Sequence, residues 1–130
     1  MKFQYKKLGT QILRPVIPIG IVSDTRSVRY EVLVDSSADC NIVPADLAEL
    51  LDIDFMSGEE IDVGGITGSG MSFFVHQVTI RVGGWDIDVS MGFMPNMPPF
   101  GYGVVGQRGF FDFFRVNFDY RKGEIEVKPY

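Results

Sequence analysis

Apolar residues recur at every second position through most of this chain, and glycine and proline break the runs at short intervals, which predicts a mostly-β protein. Val28, Tyr30, Val32 and Val34 alternate with Arg29, Glu31 and Leu33, giving a strand that runs straight into Asp35; Leu33 implies burial on both faces near its end. Ile12–Val22 is equally β-rich, but Pro15 and Pro18 cannot donate to a ladder, so this segment belongs at a sheet edge or a bend. A long strand is expected over Met71–Val82, and Gly83-Gly84 then turns the chain. In the returning strand Trp85, Ile87, Val89, Met91 and Phe93 form a core face opposite Asp86, Asp88, Ser90 and Gly92. Val104-Val105 is a short apolar strand ended by Gly106. Val116, Phe118 and Tyr120 alternate with polar residues, and Arg121-Lys122-Gly123 turns the chain into Glu124–Lys128, a C-terminal hairpin. Helical spacing occurs at Leu47, Leu50 and Leu51, with Pro44 suited to a first turn, and Arg108–Phe114 reads as a second short helix. The loop Met94–Gly103 holds too many prolines for a central strand.

Composition narrows the classes. The 130 residues suit one domain spanning 1–130. A chain of this size buries roughly two-thirds of its unfolded surface and needs no covalent staples. Twelve Lys+Arg against 17 Asp+Glu give a net charge of −5, and with no basic run longer than Lys6-Lys7 a nucleic-acid partner is not expected. The uncharged apolar run Pro15–Val22 falls far short of the roughly 18–20 residues of a membrane span, so no membrane partner is expected. The basic start is followed by no apolar leader region, which points to a cytoplasmic protein. One Cys and one His exclude an intrachain disulfide and a four-ligand zinc site built from Cys40 and His76; no metal or cofactor is expected.

Chemistry concentrates in Val32-Leu33-Val34-Asp35-Ser36-Ser37-Ala38-Asp39-Cys40. A carboxylate set directly after buried β-branched residues, and before small residues that admit close backbone approach, is partly desolvated. The plain alternative is a strand-ending turn in which Asp35 accepts backbone N–H bonds. Gly64-Gly65-Ile66-Thr67-Gly68-Ser69-Gly70 places four glycines in seven residues between two strand segments, describing a mobile hairpin tip. His76 shares a face with Phe74, Val78 and Ile80 and reads as a packed structural histidine, while Asp86 and Asp88 read as solvated charges. The apolar loop Met94–Phe100 suits contact with a ligand or with its own side chains equally.

The tract Leu33-Val34-Asp35-Ser36-Ser37-Ala38-Asp39 resembles the active-site motif of the retroviral-type aspartic peptidases, hydrophobic-hydrophobic-Asp-Thr/Ser-Gly-Ala, usually followed by Asp. The resemblance extends in order along the chain. Arg14-Pro15-Val16-Ile17-Pro18-Ile19 looks like that family's first core strand, and Val63–Gly68 like its glycine-rich flap. Gly103-Val104-Val105-Gly106 looks like the step before its single helix. The resemblance implies a small closed β-barrel of the retropepsin type and a homodimer in which Asp35 and its symmetry mate form the catalytic pair on a peptide or protein substrate. Ser36 would brace the loop against the facing copy. Asp39 would bind substrate backbone and receive Arg14 from the partner chain. Gly64, Gly65 and Ile66 would form the flap tip, and Val104 would line a side-chain pocket. Two positions depart from the pattern: Ser37 stands where the motif has glycine, within the substrate site, and Gln107 stands where arginine is usual, with Arg108 one later. Ser37 favours an alternative, a catalytically inactive dimer of this fold that binds extended peptides as an added strand.

Overall fold

The period-two segments fold as strands in the computed structural model, which describes residues 1–62, 71–97 and 102–130. In chain order they are β1 (Lys2–Gln4), β2 (Lys6–Leu8), β3 (Ile12–Arg14), β4 (Val16–Val22), β5 (Ser27–Val34) and β6 (Ile42–Pro44). The helix α1 (Asp46–Leu50) and a single 3₁₀ turn (Phe55–Ser57) come next. Then follow β7 (Glu59–Asp62), β8 (Ser72–Val82), β9 (Trp85–Met94), β10 (Gly103–Val105), β11 (Phe114–Asp119) and β12 (Glu124–Pro129).

Six strands close into a barrel in the order β4-β5-β10-β6-β9-β8, with Gly20–Val22 of β4 pairing with Thr79–Arg81 of β8 to complete the ring. The fold is thus the expected closed β-barrel of the retropepsin type. Closure begins only at Gly20, so the N–H that Pro18 lacks falls where β4 has β5 as its one strand neighbour. Pro15 marks the break between β3 and β4. Alternation then decides the core: Ile17, Ile19 and Ile21 of β4 meet Val32 and Val34 of β5, Val78 and Ile80 of β8, and Val89, Met91 and Phe93 of β9, all buried. Each contributes about 1.5–3 kcal/mol by leaving water. Trp85, expected on this core face, is 52% exposed because it sits at the open end of the β8–β9 hairpin beside Gly83-Gly84.

The C-terminal hairpin β11–β12 forms as expected and delivers Ile125 and Val127 to the core beside Phe110 and Phe114. β1 pairs antiparallel with β12, so the terminal segments meet within one chain, tied also by the N-terminal ammonium donating to the Val127 carbonyl at 2.8 Å. α1 buries Leu47 and Ala48, with Leu51 behind them, while Leu50 faces out; Pro44 ends β6 and Ala45 caps the helix.

The second helix expected over Arg108–Phe114 does not form. Residues 109–113 are a chain of turns in which the Phe111 and Asp112 N–H groups reach back five residues, to Gly106 and Gln107. Gly109 adopts φ +102°, outside helical space, and its N–H donates to Asp112 Oδ1 at 2.9 Å. Aromatic spacing in this segment serves packing of Phe110 and Phe114, not a helix face.

Candidate active site

β10 is three residues long, yet it lies between β5, to which it is parallel, and β6, to which it is antiparallel. Val104 and Val105 pair with Leu33 and Val34, and the ladder continues one step further as the Asp35 N–H donates to the Val105 carbonyl at 3.0 Å. Asp35 is therefore fixed where β5 ends. The loop 35–41 crosses from β5 to β6 over the end of β10. Gln107 N–H donates to the Ala38 carbonyl (2.8 Å), Arg108 N–H to Asp39 (3.0 Å), and the Gln107 side-chain amide to the Ser36 carbonyl (2.5 Å). Gln107 thus anchors the loop from the position where the family motif places arginine.

The last residue of this loop, Asn41, is fully buried. Its amide donates to the Gly109 carbonyl at 3.2 Å and its Oδ1 accepts from Gly106 N–H at 3.0 Å, while its own carbonyl accepts from Gly92 N–H. One polar side chain so joins the loop to the segment after β10.

Within the loop, Asp35 Oδ1 accepts two bonds from Ser37: the backbone N–H at 2.9 Å and the hydroxyl at 2.6 Å. Oδ2 accepts none among the described residues. Asp35 is half-buried and Ser36, Ser37 and Asp39 are exposed. Asp35, Ser37, Ala38, Asp39 and Cys40 form one side of a cleft of about 610 Å³, and Ile42, Ile61, Phe73, Met94, Met97 and Val104 supply its apolar walls, with Asp62 at its edge. Burial, with the Asp39 carboxylate adding to it and Arg108 opposing, pushes the Cys40 thiol up from its ordinary range.

The cleft thus gathers Asp35, Ser37, Asp39 and Val104 of the expected site; Ser36 presents its carbonyl to Gln107 and lies outside the lining. Arg14 is exposed at the end of β3, and no ion pair joins it to Asp39 within the described residues. The expected flap tip, Gly64, Gly65 and Ile66, lies outside the described residues; its flanks pair as β7 and β8, with Asp62 opposite Ser72. His76 lies away from this cleft, bonded through Nε2 to the Phe55 carbonyl at 2.8 Å and edge-on to Phe93, as a packed histidine does. Asp86 and Asp88 are exposed but not merely solvated: Arg81 and Thr79 bind them across the β8–β9 pair. Among the described residues no group of three or more His, Cys, Asp or Glu is placed to hold a metal ion. No helix is long and apolar enough to cross a membrane among these residues.

The sequence pattern alone does not find Ile61 and Phe73 as cleft residues, although their signal is there: they face one another across the β7–β8 pair that flanks the glycine run. Met94 and Met97 belong to the apolar loop whose role the pattern leaves open.

The closed barrel, with the short β10 parallel to β5 and an aspartate just past β5 lining a cleft with apolar walls, is a retropepsin-type fold. Among solved structures the chain is similar to the EIAV protease complexed with the inhibitor HBY-793, with a TM-score of 0.52 and 23% identity, over 78% of this chain and 88% of that one. At this identity the likeness is one of fold. No family model matches the chain, and no curated protein does.

Proposed function

We propose that this chain is an aspartic endopeptidase that works as a homodimer, with Asp35 of each copy forming the catalytic pair. One observation carries the reading: Asp35 directly follows β5 at the side of a cleft with apolar walls, with Oδ2 free of partners among the described residues. Among these 130 residues only the Asp-Ser/Thr pair at Asp35-Ser36 directly follows two apolar residues, and the reading takes the second carboxylate from a second copy. Two carboxylates brought together share one proton. The ionised member takes a proton from a bound water as its oxygen attacks the scissile carbonyl carbon, and the protonated member donates to the developing oxyanion. The departing amine then receives a proton from the pair, and the C–N bond breaks.

The remaining roles follow the same reading. Ser36, exposed beside the cleft, braces the loop against the facing copy. Asp39 binds substrate backbone and pairs with Arg14 of the partner chain. Val104 and the apolar walls receive side chains of a peptide held as an added strand, and Gly64, Gly65 and Ile66 close over it. A second reading, an inactive dimer that binds peptides without cutting them, is favoured by one observation, the Ser37 hydroxyl on Asp35 Oδ1.

The test is cleavage of a mixed peptide library by the full chain. A bell-shaped pH profile is expected, with cleavage abolished in Asp35→Asn. Cleavage that survives this change refutes the mechanism; binding of extended peptides with no cleavage at any pH establishes the inactive dimer.

A further inference from the structure

Ser37 breaks the motif at the position where glycine is usual, and its side chain is engaged. Its hydroxyl lies 2.6 Å from Asp35 Oδ1, in the range of an O–H donating to a carboxylate, and its N–H donates to the same oxygen at 2.9 Å. The loop is held on both sides of Ser37: the Gln107 amide binds the Ser36 carbonyl, and Ala38 N–H binds the Asp35 carbonyl at 3.1 Å. With the backbone fixed at these points the hydroxyl has a set place, and two donors on one oxygen fix the carboxylate's rotation.

We propose that Ser37 is a positioning residue, whose hydroxyl locks Asp35 Oδ1 and thereby assigns Oδ2 as the oxygen that meets water, proton and partner carboxylate. This rests on the peptidase reading, and the site's other ionisable groups do not substitute for it. Asp39, Cys40 and Asp62 line the same cleft and Arg108 stands within electrostatic reach of Cys40, but of the described side chains only that of Ser37 donates to Asp35.

Alanine removes the hydroxyl and keeps the backbone donor; threonine keeps both. Ser37→Ala is expected to lower kcat about tenfold, the order of one hydrogen bond to a charged group, with KM changed less than about twofold; Ser37→Thr recovers most of the loss. Independently of turnover, the Asp35 carboxyl ¹³C resonance at fixed neutral pH is expected to move in Ser37→Ala and to return in Ser37→Thr. An unmoved resonance with unchanged kcat overturns the proposal. So does faster cleavage by Ser37→Ala or Ser37→Gly, which makes the hydroxyl a block and not a support. If the native chain cleaves nothing, the peptidase reading fails and the role assigned to Oδ2 fails with it, and a resonance that still moves as expected then shows only that the hydroxyl binds Asp35.

Discussion

Asn41 shows how much one side chain at the end of a loop holds in place. It is fully buried, and both ends of its amide are used, one on Gly106 N–H and one on the Gly109 carbonyl. Replacing it with alanine leaves a backbone donor and a backbone acceptor buried without partners, so Asn41→Ala is expected to lower stability by about 2–4 kcal/mol. Thermal or denaturant unfolding measures this directly, and a change below about 0.5 kcal/mol would mean that water replaces both bonds. The sequence could not single Asn41 out, since its partners lie 65 and 68 residues further on. Asp35 is different. Its position at the end of an apolar run, before small residues, is a local signal, and the strand does end there. Its two bonds from Ser37 are also local, two residues apart, yet the pattern presents Ser37 only as a departure from glycine.

Among elements, β10 shows what short length conceals. Three residues carry a parallel pairing and an antiparallel one, and Gly106 must then pass under the loop 35–41. A Cβ on Gly106 would run into the Ala38 carbonyl and stand 2.9 Å from that of Cys40, backbone atoms that cannot swing aside. Gly106→Ala is therefore expected to destabilise the fold by about 1–3 kcal/mol, or more, and to displace the loop that carries Asp35. Gly84→Ala is the control: it meets open space without a left-handed φ and is expected to stay within about 0.5 kcal/mol of the native chain. Comparable losses in the two variants would show that the close approach at Gly106 does not govern the loop. The same scale explains the lost helix. Phe110, Phe111 and Phe114 have apolar spacing that suits a helix, but Gly109 at φ +102° and the five-residue bonds behind it set turns, which no apolar period reveals. The long strands β5, β8 and β9 are legible because apolar residues alternate along them, with Val32 and Val34, Val78, Ile80 and Val82, and Val89, Met91 and Phe93 buried at every second position.

For the whole molecule the decisive fact is arithmetic: one chain closes one barrel and brings one Asp35 to its cleft. The terminal strands β1 and β12 pair within the chain, so the proposed dimer does not need to exchange these strands. If catalysis needs two Asp35 carboxylates, an Asp35→Asn chain is inert alone and also disables each native chain it pairs with. Let native chains be mixed with an equal number of Asp35→Asn chains, refolded together at a concentration where all are dimeric. Random pairing leaves about a quarter of all dimers fully native, and since the number of dimers has doubled, cleavage falls to about half that of the native chains alone. An enzyme complete in one chain would lose nothing on mixing. Dilution makes the complementary measurement, with specific activity falling as dimers dissociate and the loss steepest for Arg14→Ala or Asp39→Asn if that pair joins the copies. Undiminished cleavage in the mixture, together with specific activity independent of concentration, would place the whole reaction in a single barrel and remove the shared pair from the mechanism.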